Sequence, residues 1–148
     1  METSSYSAQQ RRAINLVWTA SGDYQFEPQF LALKSNGEPD FYMNCVIGLV
    51  RLLGDEFPTL EKKYKEQFAQ LFLDLQKKCE NAEISEKALD LRGLLDALRL
   101  IRRGIGAGRA LDMGITNKAF DAYEQSLIRD VIAARIPAKL DRSRLFTD

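Results

Sequence analysis

Residues 85–109, SEKALDLRGLLDALRLIRRGIGAGR, decide the fold, because a helix start, a strongly amphipathic helix and a glycine-rich stop follow one another there. From Asp90 onward, Leu91, Leu94, Leu95, Leu98 and Ile101 fall on one side of a 3.6-residue helix, while Arg92, Asp96, Arg99 and Arg103 share the other. One side packs and the other faces something polar. Asp90 is the expected cap, since its carboxylate can accept amide hydrogens of the first turn and complements the helix dipole. Arg92 then sits in that first turn, where a cation opposes the dipole at a small local cost. Three readings of Arg92 follow: an ion pair with Asp96, plain exposure to solvent, or a meeting with an anionic partner. Spacing by itself favours the first two.

The run GIGAGRA invites comparison with a phosphate-cradling glycine loop. Such loops follow a strand and open a helix, whereas this one follows a helix. Gly104 as the residue that stops the helix, with Gly106 and Gly108 allowing a tight reversal, is the better account. A short helical piece over 109–113 leads to Gly114. The last long helix then starts at Asn117 or its neighbour and buries Phe120, Tyr123, Leu127, Ile128, Val131 and Ile132. Pro137 stops it, and the tail KLDRSRLFTD reads as polar and loose.

On the N-terminal side, Pro58-Thr59 opens a longer helix with Leu60, Tyr64, Phe68, Leu71, Phe72, Leu75 and Cys79 on one face. The opposite face carries EKKYKEQ, where Glu61 and Lys65 are spaced to support each other. Residues 81–85 form a break. Before all of this, Asp40 caps FYMNCVIGLVRLLG, a candidate central helix that is apolar around nearly its whole circumference apart from Asn44 and Arg51, and Gly54 ends it. A first packing helix runs from Ser7 to about Ala20. The segment near residues 22–39 reads as an ordered loop, interrupted by Pro28 and Pro39 and turning at Asn36-Gly37. Its rings, Tyr24, Phe26 and Phe30, are better explained by docking on the core than by a ligand platform.

The pattern is therefore all-α: a single-domain bundle of about five helices spanning residues 1–148, with a lid-like helical part at 59–137 and a loose tail at 138–148. With 45% apolar and 28% charged residues the chain has the composition of a folded globular protein. Twenty-one basic and twenty-one acidic side chains cancel, so no global positive field draws in nucleic acid or an anionic membrane. There is no run of apolar residues long enough for a membrane span and no signal-like leader at METSSYSAQQRR, which points to a cytoplasmic protein. Cys45 and Cys79 form no CxxC pair, and the chain has no histidine, so a metal site would need carboxylates almost alone and imidazole-based catalysis is excluded. No metal and no catalytic residue are expected.

The second half, about Leu60 to Pro137, resembles the C-terminal helical lid of AAA+ ATPases of the MoxR and NirQ/NorQ type. The likeness is carried by ISEKALDLRGLLDALRLIRRG, then RALDMGITNKAF, then AYEQSLIRDVIAARI. In that family a small or capping residue, one intervening residue and an arginine open a lid helix, and the arginine is the sensor-2 residue that reaches the nucleotide γ-phosphate. Asp90-Leu91-Arg92 occupies this pattern, so the resemblance nominates Arg92 as a nucleotide-contacting residue. Neither a Walker A loop nor a Walker B acidic pair occurs in the 148 residues, so ATP enters only if a partner ATPase core supplies it. The resemblance implies a non-catalytic module that associates with an AAA+ subunit or with its client. A free-standing helical adaptor is the alternative. A small enzyme with an external cofactor, which would need a pocket lined by Tyr24, Tyr42 and acidic side chains, is the third and least favoured reading.

Overall fold

A computed structural model describes residues 35–37, 40–85 and 89–147. The expected first helix at 7–20, and most of the loop near 22–39, lie outside the described residues. Backbone contacts divide the chain into two compact units, Met1–Pro58 and Thr59–Asp148. The described residues form six α-helices and no strand, an all-α architecture as the periodicity predicts. No helix among them is long and apolar enough to cross a membrane.

In the first unit, residues 35–37 turn, and Gly37 takes the left-handed backbone (φ +86°) that the Asn-Gly pair anticipates. Helix α1 spans Phe41–Glu56, and Asp40 Oδ1 accepts the Met43 amide at 3.0 Å, as a cap should. One expectation needs correcting. Gly54 does not end the helix, which runs on for two residues until Phe57. That residue is biased out of helical backbone by the following Pro58, and its amide donates to Leu53 O at 2.7 Å. Asn44, a polar residue on this largely apolar helix, is fully buried, and its Nδ2 donates to Asp40 O at 2.7 Å, which satisfies the amide without solvent.

The second unit begins with an extended piece rather than with a helix. Leu60 pairs with Phe146 in an isolated antiparallel bridge, the Glu61 amide donates to Leu145 O at 2.8 Å, and the Thr147 amide donates to Thr59 O at 2.8 Å. Helix α2, Lys62–Glu80, therefore starts later than Pro58-Thr59 suggests, because residues 59–61 are occupied by pairing with the C-terminal segment. Phe68, Leu71, Phe72 and Leu75 are buried on it as expected. Glu61 and Lys65 form no ion pair among the described residues; Lys65 meets Glu61 only through the backbone. The helix ends in a Schellman motif: the Ala82 amide reaches Cys79 O at 3.0 Å and the Glu83 amide reaches Lys78 O at 2.9 Å. Ala82 holds the left-handed position, φ +59°, where glycine is the usual occupant.

Helix α3, Leu91–Arg102, buries all five residues that its periodicity selects, Leu91, Leu94, Leu95, Leu98 and Ile101. It stops as the glycine run implies. Gly104 adopts φ +108°, its amide donates to Ile101 O at 2.9 Å, and that of Ile105 donates to Leu100 O at 3.0 Å. Helix α4, Ala107–Gly114, packs on α3 at a close crossing. A Cβ added to Gly93 would lie 2.3 Å from Gly114 O, and one added to Gly114 would lie 2.4 Å from Gly93 O. Only two glycines let these backbones approach so closely.

A single 3-10 turn, Thr116–Lys118, follows, and α5 spans Ala122–Arg135 behind Asp121, which accepts the Glu124 amide at 2.9 Å. This start, five residues later than Asn117, overturns part of the expected burial. Phe120 precedes the cap and is 84% exposed; Tyr123 lies about 140° around the helix from buried Ile128 and is 72% exposed. Ile128 and Ile132 are buried, while Leu127 and Val131 are half-buried. Glu124 ties the element to its surroundings, accepting the Phe120 amide at 2.7 Å on one oxygen and the Ser85 amide on the other. Helix α5 packs on α2, where Arg135 reaches Asp74 Oδ2 at 2.5 Å and Gln70 Oε1 at 2.6 Å.

The tail is not loose. After the helix ends ahead of Pro137, residues 138–140 turn back onto the start of α4, and α6, Arg142–Leu145, follows behind Asp141. Leu145 is fully buried and Phe146 nearly so, so the segment contributes apolar anchors that its polar composition hides. The Ser143 hydroxyl donates to Asp141 Oδ1 at 2.6 Å and its amide at 3.0 Å. This hydroxyl contact, followed by backbone amides, holds the Asp141 carboxyl below the ordinary aspartate range.

Candidate functional site

Arg92 stands in the first turn of α3 on its solvent side and is exposed. The register that puts it there is fixed from two directions. Asp90 Oδ1 accepts the Gly93 amide, which sets where the helix begins, and burial of Leu91 and Leu94 sets which side faces outward. Asp90 Oδ2 lies 3.4 Å from Lys118 Nζ, so the carboxylate is shared between the helix end and an ammonium from the 3-10 turn. The positive end of the α3 dipole is thus already met by a side chain of this chain. The guanidinium of Arg92 is a planar fork of a shape that suits phosphate or carboxylate oxygens.

Of the three readings of Arg92, the ion pair with Asp96 is absent. Asp96 instead pairs with Arg99, at 2.9 Å on the exposed face. Among the described residues Arg92 makes no hydrogen bond and no ion pair. Arg135 is engaged by Asp74 and Gln70, Arg129 by Asp112 at 3.4 Å, and Arg142 through Nη1 to Arg102 O at 2.7 Å, whereas the exposed side chains of Arg103 and Arg109, like that of Arg92, have no such partner among the described residues.

The glycine run does not form an anion cradle, for a reason the geometry makes explicit. The amides that open α4 are used internally: Ala107 N–H donates to Leu140 O at 2.8 Å and Gly108 N–H to Ala138 O at 3.2 Å. Gly108 is there for close approach, since a Cβ on it would sit 2.7 Å from Ala138 Cβ. Of the rings considered for an enzyme pocket, Tyr42 is exposed on α1 and Tyr24 lies outside the described residues. Among the described residues no group of three cysteine and carboxylate side chains is placed to hold a metal ion, and no disulfide joins buried Cys45 to half-buried Cys79.

Two features escape a reading of the sequence alone. Lys118 meets Asp90 across 28 positions, with no local signal to announce it. The Gly93–Gly114 crossing carries a faint one: Gly93 sits in an otherwise good helix-forming run, where glycine costs up to about 1 kcal/mol relative to alanine unless space demands it, whereas Gly114 ends α4 and gives no such signal. Comparison with family models, curated proteins and solved structures gives no match to this chain.

Proposed function

We propose that the protein is a non-catalytic helical module, similar to the lid of an AAA+ ATPase, which acts by associating with an ATPase core or its client and offers Arg92 to a nucleotide phosphate held by that core. The observation that supports this reading is the state of Arg92: exposed, in the first turn of a capped helix, and with no partner among the described residues. Asp90 fixes the helix start without using the guanidinium, so the side chain is positioned but unspent.

The test is co-purification from native extract with and without a non-hydrolysable ATP analogue, using the wild-type chain and Arg92→Ala as baits. Recovery of an AAA+ subunit that depends on the nucleotide and falls with the substitution is the expected result. A charge-assisted bond to phosphate contributes about 1.5–3 kcal/mol, so the association weakens by roughly ten- to a hundredfold. Recovery of AAA+ subunits that ignores both nucleotide and substitution, or no recovery of them, would overturn the reading.

The free-standing adaptor remains a second reading because Phe120 and Tyr123 are presented to solvent at the start of α5. Exposed aromatic side chains of this kind are enriched in protein interfaces. Under that reading Phe120→Ser, and not Arg92→Ala, would abolish capture of the partner.

A further inference from the structure

Helices α4 and α5 and the turn after Pro137 enclose a groove of about 450 Å³, lined by Gly108, Arg109, Asp112, Arg129, Ile132, Ala133, Ile136 and Ala138. Its volume is that of a ligand site, its walls are largely apolar, and it is open along one side. Charge is confined to the rim and is unbalanced. Two guanidiniums, Arg109 and Arg129, face one carboxylate, Asp112. Arg129 meets Asp112 at 3.4 Å with about half of its side chain still exposed, a long and solvated pair of small worth. Arg109 is exposed and has no hydrogen-bond or ion-pair partner among the described residues.

We infer that this groove docks a peptide segment of a partner protein in which an acidic side chain is flanked by small apolar residues, the carboxylate lying between Arg109 and Arg129. The apolar floor takes the flanking side chains, and Arg109 supplies the fork that a carboxylate fits. A segment of polypeptide fits better than a compact small molecule because the open side would leave the latter half in water, whereas a segment continues past the groove at both ends. The inference stands apart from the role of Arg92, which lines no part of the groove.

The experiment is selection of random octapeptides displayed on phage against the full chain, followed by titration of the recovered peptides, fluorescein-labelled, into wild type, Arg109→Glu and Ala133→Trp. Expected are peptides enriched in Asp or Glu beside Leu, Ile, Val or Ala. Their affinity should fall at least about tenfold in Arg109→Glu, weaken with added salt, and be lost in Ala133→Trp, where the indole fills the groove. Arg109 has no partner to lose, so that variant keeps its melting temperature and stays informative even if Ala133→Trp does not fold. Peptides without acidic enrichment, or acidic peptides whose affinity ignores both substitutions, would overturn the inference. So would saturable binding of decanoate in the groove with no peptide recovered, which would mark a small-molecule site instead.

Discussion

Replacing Gly93 with alanine gives the sharpest test of how the second unit is assembled. The new Cβ would stand 2.3 Å from Gly114 O, about 1 Å short of an ordinary contact, and also 3.0 Å from Asp90 Oδ1 and 3.1 Å from Lys118 Nζ. The backbone carbonyl cannot swing aside as a long side chain would, so α3 and α4 must separate. That loosens the buried contacts of Leu94, Ala97, Ala110 and Leu111. Overpacking of this kind costs typically 1–3 kcal/mol. Better helix propensity returns at most about 1 kcal/mol, and less in a first turn. The net loss of about 0.5–2.5 kcal/mol corresponds to a fall in Tm of roughly 2–10 °C for a chain of this size, read by circular dichroism melts and urea titration. Gly106→Ala is the control, because its Cβ would meet nothing closer than Ala138 O at 4.0 Å, and it should be near neutral. Gly93→Ala and Gly114→Ala act at one crossing, so the double variant should lose less than the two single losses together. A Gly93→Ala protein as stable as wild type, or no more damaged than Gly106→Ala, would refute the close crossing.

Three further outcomes follow from single contacts. Ala82→Gly should raise stability by about 0.5–1 kcal/mol in the same melts, because alanine is held at φ +59° where glycine is unstrained; a loss would mean that the Schellman turn is not formed. Arg135→Ala should cost about 1–3 kcal/mol by removing the fork between α2 and α5, and Arg135→Lys should restore less than half of it, since an ammonium cannot engage Asp74 and Gln70 in one plane; full rescue by lysine would contradict this. Asp141, whose carboxyl is held low by the Ser143 hydroxyl, contributes to α6 fully above the ordinary aspartate range near pH 4 and loses that contribution as pH falls through its lower folded value. Protection of the Leu145 and Phe146 amides, measured relative to their intrinsic exchange rates, should therefore fall in acid in wild type, with a much smaller change in Asp141→Asn.

The parts of this fold that are legible in the sequence are those fixed within one or two turns of chain. The Asp40 and Asp90 caps, the leucine face of α3 and the stop at Gly104 each depend on neighbours three or four residues away, and each is found where spacing puts it. Where the reading fails, a distant partner decides. Thr59–Glu61 is drawn out of the helix by the C-terminal segment, and Leu145 and Phe146 are buried although the eight residues before them include four charges. Spacing places Phe120 and Tyr123 on the buried side of the last helix, but the cap at Asp121 leaves Phe120 ahead of α5 and sets a phase that turns Tyr123 outward. At the candidate site the position of Arg92 is legible for the same local reason as its helix. Its lack of a partner is not, because that depends on Asp96 pairing with Arg99, three residues on, in place of Arg92, four residues back, a choice that helical spacing leaves open.

The most direct measurement compares affinities for the recovered AAA+ core loaded with a non-hydrolysable ATP analogue or with ADP, for wild type and for Arg92→Ala. The wild-type chain should discriminate between the two nucleotides by roughly tenfold or more, as a phosphate-reading guanidinium requires. Arg92→Ala should bind both forms alike, with a Tm unchanged within the roughly 2 °C that a surface substitution moves. Equal discrimination by both proteins, or a Tm collapse on losing Arg92, would contradict the account.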